Sequence, residues 1–97
     1  MEIIIHRIGP CGISKEKVFF EESFLPLKRV LIRLLDNSKE KVRPFVNEDL
    51  GILDGCVILV NGRNMVSLEG LDTEIRDQDE ITFTVLVAGG SGQEVEP

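Results

Sequence analysis

Ile81-Thr82-Phe83-Thr84-Val85-Leu86-Val87 runs directly into Ala88-Gly89-Gly90, after which come Ser91-Gly92-Gln93-Glu94-Val95-Glu96-Pro97. Ile81, Phe83, Val85 and Val87 occupy every second position. Strand side chains point alternately to opposite faces, so this spacing predicts a β-strand with one apolar face against a core. Leu86 falls on the other face, with Thr82 and Thr84. An apolar side chain there, beside the glycines, is a candidate for a docking patch. Asp77-Gln78-Asp79 supplies the turn that leads in.

Upstream, Cys56 to Val60 is a compact apolar run ending in Asn61-Gly62, two residues that tolerate positive φ and so mark a tight hairpin. Met65 to Leu68 is the expected return strand. Leu27, Val30, Leu31, Leu34 and Leu35 recur at i, i+3, i+4, i+7 and i+8, one stripe along a helix that turns Lys28, Arg29 and Arg33 outward. Pro26 suits the first turn of that helix, where its missing N–H costs nothing. Ser23 is the expected N-cap, and Asp36-Asn37-Ser38 ends the helix. Residues 39 to 55 are broken by Pro44, Gly51 and Gly55, with one short helical turn expected near Phe45 to Leu50.

Glu2 to Ile8 and about Lys15 to Glu22 read as two extended segments around Gly9-Pro10 and Gly12, an opening hairpin. The resulting order, β-β-α-β-β(-β), predicts an α+β fold: a mixed four- to five-stranded sheet packed on one main helix, since one amphipathic helix covers one sheet face. The β-grasp has this order. Residues 1–88 are the expected globular domain and 89–97 a flexible C-terminal tail.

The 97 residues are 42% hydrophobic and 29% charged, which suits a single globular domain. Seventeen acidic residues against 11 basic ones give a net charge of −6, a field that repels phosphate backbones and argues against nucleic-acid binding. No apolar run nears the roughly 20 residues of a membrane span, and Met1-Glu2-Ile3-Ile4-Ile5 lacks the basic start and cleavage site of a signal peptide. A cytoplasmic location without membrane contact is expected. In that reducing setting Cys11 and Cys56 remain thiols, Cys56 as a small hydrophobe in its strand and Cys11 as a loop thiol. His6 stands alone, with no second ligand at metal spacing, and no metal site is expected.

Gly89-Gly90 carries the functional reading. Two residues without Cβ leave a thin backbone that can thread a narrow enzyme channel, and a carboxylate at Gly90 is then a deliverable reactive end. Four segments add to this: Val60-Asn61-Gly62-Arg63-Asn64, Leu68-Glu69-Gly70-Leu71-Asp72-Thr73, Asp77-Gln78-Asp79-Glu80 and Val87-Ala88-Gly89-Gly90. Together they resemble the small subunit of molybdopterin synthase and its ThiS/MoaD-like sulfur-carrier relatives, a ubiquitin-like β-grasp group that includes the archaeal small modifier proteins. The resemblance spans about residues 24 to 90.

It implies that an E1-like activating enzyme uses ATP to adenylate the carboxylate of Gly90, and that sulfur transfer then gives a thiocarboxylate. Gly89 and Ala88 form the slender approach. The acyl-adenylate is the electrophile and the partner supplies the nucleophile, so the chain needs no catalytic side chain and no bound cofactor. It is a carrier, at most a non-catalytic subunit of molybdopterin synthase beside the large subunit.

Members of the group usually stop at the second glycine, whereas here Ser91 follows and Gly90 carries an amide. A precursor is therefore expected, cut between Gly90 and Ser91, with a zinc metalloprotease of the deubiquitinase type as the processing enzyme by analogy. Three readings stay open. A sulfur carrier donates to a pterin precursor of the molybdenum or tungsten cofactor. A protein modifier is conjugated through Gly90 to target-protein lysines. A plain interaction domain keeps Gly89-Gly90 only as an exit from the last strand. Arg63 is a candidate partner contact beside the Asn61-Gly62 turn, set against an ordinary solvated residue.

Overall fold

The computed structural model describes residues 1–9 and 12–85. Strands β1 (Glu2–Gly9) and β2 (Gly12–Phe19) form the opening hairpin. A short β3 (Phe24–Pro26) leads into helix α1 (Leu27–Asn37), and a single turn, α2 (Lys39–Val42), follows. Then come β4 (Cys56–Val60), β5 (Arg63–Asn64), 3₁₀ turns at Met65–Ser67 and Gly70–Asp72, β6 (Glu74–Arg76) and β7 (Glu80–Val85).

The main sheet has the order β2-β1-β7-β4-β5, and β3 pairs with β6 in a two-stranded ribbon. β7 runs parallel to β1 and antiparallel to β4. This is the α+β architecture expected, a mixed sheet of five strands carrying one main helix.

The core lies between sheet and helix. Ile3 and Ile5 of β1, Ile81 and Phe83 of β7, and Ile58 and Val60 of β4 meet Leu27, Val30, Leu31, Leu34 and Leu35 of α1, all buried. The five helix residues are the stripe read from the sequence. Each contributes on the order of 1.5–3 kcal/mol by leaving water. Phe45 closes the core at one end, its ring 5.6 Å from that of Phe83.

Four local expectations are corrected. Ser23 does not cap α1, and Pro26 lies just outside its first turn: Pro26 is the N-cap, extended at ψ 151°, because residues 24–26 are drawn into the ribbon with β6. The Leu27 N–H donates to the Thr73 carbonyl at 2.8 Å, so the helix start is held by the ribbon and not by a side chain.

The second extended segment starts at Gly12 and ends at Phe19, and Phe20 turns into the core beneath the Arg33 guanidinium. The helical turn in residues 39–55 is α2, ahead of Phe45. Phe45 and Val46 are instead buried in an irregular loop, where Asn47 Oδ1 accepts from the Asp49 and Gly51 N–H groups. The return strand is not Met65 to Leu68 but the two residues before it, Arg63–Asn64, because Asn64 Oδ1 accepts from Val66 N–H at 3.0 Å and caps a 3₁₀ turn where strand was expected.

Both predicted turns form. Asn61 and Gly62 take φ of 52° and 84°, and Gln78 takes 71°. The turns are tied together: Asn61 Nδ2 donates to Asp79 Oδ1 at 3.1 Å, and the Glu80 N–H donates to Asn61 Oδ1 at 2.9 Å. Asp77 Oδ1 accepts from the Glu2 N–H at 2.7 Å, fastening the start of β7 to the start of β1. Among the described residues no helix is long and apolar enough to cross a membrane.

Candidate functional site

β7 hands the chain on to Leu86 and the glycines, and a strand can present a tail only if it is itself held. β7 is bonded on both sides, to β1 from Ile4–Glu80 through Ile8–Thr84 and to β4 from Val60–Ile81 through Cys56–Val85. Leu86, Ala88, Gly89, Gly90 and Ser91 lie outside the described residues, as does Cys11. Their point of departure is nevertheless defined. Val85 stands opposite Cys56 at the end of the sheet where β1 closes and β2 opens.

At that end the face turned away from α1 is apolar. Register and alternation put Ile13, Ile8, Thr84 and Val57 in one row across four strands, a single residue short of Val85. Ile8 and Ile13 are 39% and 77% exposed. The next row, Lys15, His6, Thr82 and Leu59, is mixed, and beyond it His6 Nε2 lies 3.1 Å from Glu80 Oε1. Polarity thus rises with distance from the exit. Such a face offers a partner an apolar contact beside the departing chain and a charged margin farther off.

Beneath the same end, a cleft of about 350 Å³ opens between Gly9, Gly12, Ile13 and Ser14 on one side and Pro44 and Phe45 on the other. Its charged lining residues, Arg7 and Lys41, both meet Glu16 at its margin. Glu16 Oε1 lies 3.4 Å from Arg7 Nη2 and 3.3 Å from Lys41 Nζ. Partial burial pushes the Glu16 carboxyl up, but hydrogen bonds and charge from Arg7 and Lys41 outweigh that and hold it below the usual carboxylate range.

Arg63 sits elsewhere. It pairs with Val60, level with Ile81, at the opposite end of the sheet from Val85 and separated from it by about 13 Å of strand. Cys56 is half-buried, its Sγ 3.6 Å from the Pro44 carbonyl. Among the described residues no three His, Cys, Asp or Glu side chains are grouped to hold a metal.

A family model described as the ThiS family matches residues 14–90. The chain belongs to the ThiS family. A curated relative from Archaeoglobus fulgidus, provisionally named a sulfur carrier protein, is 28% identical to this ThiS-family chain over 81 residues, which cover 84% of the chain and 92% of the relative. The crystal structure of SAMP1 from Haloferax volcanii superposes with a TM-score of 0.69 at 15% identity, covering 93% of this chain and 100% of that one. The solution structure of small archaeal modifier protein 1 from Methanosarcina acetivorans gives 0.65 at 23% identity, covering 92% and 96%. These likenesses fix the fold as the ubiquitin-like β-grasp. The ThiS-family match begins inside β2 and runs to Gly90, so it leaves out β1 and takes in most of β2, α1, β4, β5, β7 and both glycines.

Proposed function

We propose that this ThiS-family chain is a ubiquitin-like sulfur carrier whose working end is the carboxylate of Gly90, released by cleavage between Gly90 and Ser91. The observation that carries the reading is where the family match stops: it includes Gly89-Gly90 and leaves Ser91–Pro97 outside. The sulfur-carrier name of the Archaeoglobus fulgidus relative supports the same class of chemistry.

An E1-like enzyme joins the Gly90 carboxylate to the α-phosphate of ATP with loss of pyrophosphate. A sulfur nucleophile then displaces AMP to give the thiocarboxylate. This chain's share of the work is presentation. β7 holds the exit rigidly, the Ile13–Ile8–Thr84–Val57 row docks on the activating enzyme or on a synthase large subunit, and Ala88-Gly89-Gly90 reaches the reacting centre. ATP belongs to the activating enzyme, and the sulfur goes to a pterin precursor in molybdopterin synthesis.

The second reading is a protein modifier joined through Gly90 to target lysines; the two small archaeal modifier structures favour it. Intact mass spectrometry of the protein from its native cells tests both. A species ending at Gly90 with one oxygen replaced by sulfur supports the carrier. Heavier species with isopeptide links to lysine support the modifier. A population retaining Ser91 throughout rejects activation at Gly90.

A further inference from the structure

The main sheet has two edge strands, β5 and β2, and they are protected unequally. β5 is only two residues long, whereas β2 runs for eight in unbroken register with β1, without proline or bulge. Met1 N donates to the Phe20 carbonyl at 2.6 Å and Phe20 N to the Met1 carbonyl at 2.8 Å. Alternation along the antiparallel ladder then makes Ile3/Val18, Ile5/Glu16 and Arg7/Ser14 the mutually bonded pairs. The N–H and C=O groups of Ile13, Lys15, Lys17 and Phe19 therefore point outward, with no strand beside them among the described residues.

The side chains of these four residues share the face turned away from α1. Ile13 and Phe19 are 77% and 73% exposed, and Lys15 and Lys17, also exposed, form no ion pair with a described residue. Across the ladder Lys15 stands opposite His6 and Lys17 opposite Ile4, so neither faces a carboxylate on β1. Glu16 projects to the other face, where Arg7 and Lys41 hold it. In a chain of net charge −6, this edge is a local stripe of positive charge between two apolar ends.

An open edge of this length is a template for another strand, and its side chains select which. A second copy is selected against. Two-fold antiparallel pairing centred on Glu16 would bring Ile13 to Phe19 but also Lys15 to Lys17, and centring on either lysine sets it against its own copy. We propose that β2 instead takes up an extended acidic segment of a partner protein, which adds to the sheet as an antiparallel strand. Opposite Ile13, Lys15, Lys17 and Phe19 that segment carries apolar, acidic, acidic and apolar side chains, with one residue between each. Each of the four β2 residues then exchanges both backbone bonds with the residue facing it. Cβ atoms directly opposite lie about 4.5–5.5 Å apart, close enough for a carboxylate to meet each ammonium. Local charge outweighs net charge at that range, because salt screens the rest of the chain's field beyond about 8–10 Å. The surface shares Ile13 with the apolar row beside Val85 and does not depend on the chemistry assigned to Gly90.

NMR titration of the full 97-residue chain with the end-capped peptide Val-Thr-Glu-Thr-Glu-Thr-Val tests it. Saturable shifts centre on the Ile13, Lys15, Lys17 and Phe19 amides, whose hydrogen exchange slows as the peptide binds. K15E/K17E weakens the affinity about tenfold, and a peptide with lysine in place of both glutamates prefers K15E/K17E to the unmodified chain. N-methylation of the peptide at its Val and Glu residues, which keeps the charges and removes the bonding edge, abolishes binding. No shifts along β2 at about 1 mM peptide, or equal affinity for the unmodified chain and K15E/K17E, overturns the proposal. Undiminished binding of the N-methylated peptide overturns strand addition. Without peptide, slowing of the same amides that grows with protein concentration assigns the edge to a second copy and overturns the acidic partner.

Discussion

Phe83→Ala strikes the point where the exit strand is anchored. Phe83 is fully buried in β7, its ring 5.6 Å from Phe45, and its strand is bonded on both sides. Truncation removes the transfer energy of the ring and leaves a cavity that two flanking strands cannot collapse, a loss of about 3–5 kcal/mol. The edge of that range approaches the whole stability of a small domain, about 5–15 kcal/mol. At a urea slope of roughly 1–2 kcal/mol/M the midpoint falls by at least about 1.5 M, read by far-UV circular dichroism. Phe83→Leu, which keeps most of the volume, costs under about half as much. A double-mutant cycle of Phe45→Leu with Phe83→Leu isolates the ring contact at about 0.5–1.5 kcal/mol. A loss below about 1 kcal/mol for Phe83→Ala would refute the argument that this ring pins β7 against the core.

Glu22 carries an acid-limb signature. Hydrogen bonds from Arg33 hold its carboxyl at about 2, down from 4.5, so its contribution is complete above pH 4.5 and is lost as pH falls towards 2. Glu22→Gln should flatten the stability curve in that window alone, seen in urea midpoints at stepped pH. Gly62→Ala places a Cβ in open space at φ 84°, so only backbone strain acts, and thermal melts should show a loss of about 1 kcal/mol. Ile13→Asp, at an exposed site, should change stability by less than about 0.5 kcal/mol while weakening binding to the activating enzyme about tenfold, measured by calorimetry. Gly90→Ala should leave the melting temperature unchanged and slow AMP-forming activation of a form ending at residue 90, followed by pyrophosphate release.

What could be read from the sequence was what repeats. The Leu27–Leu35 stripe and the alternation of Ile81 and Phe83 declare their buried faces outright, and Asn61-Gly62 declares its backbone. Pairings between short, distant segments were invisible. The three residues of β3 have no periodicity, and only their union with Glu74–Arg76 explains why α1 starts after Pro26. Gly89-Gly90 stands out in the sequence but lies outside the described residues, whereas the apolar row beside Val85 could not be read from the sequence. In Ile3-Ile4-Ile5 every residue is apolar, so facing is decided by register, and that register lines up Ile8 with Ile13 and Thr84. Arg63 illustrates the converse: closeness to a hairpin motif in sequence says nothing about which end of the sheet the hairpin occupies.

The two-sided bonding of β7 also determines how the molecule bears a load. A partner that grips the glycines and pulls applies force along the strand axis. Because β1 and β4 both run beside β7, the hydrogen bonds of both ladders are loaded together, in shear, and are not peeled one at a time. The Phe83 side chain, fully buried and packed on Phe45, adds resistance to sliding. A pull on the chain beyond Val85 is therefore carried by both ladders at once, and the domain behind it resists unravelling strand by strand.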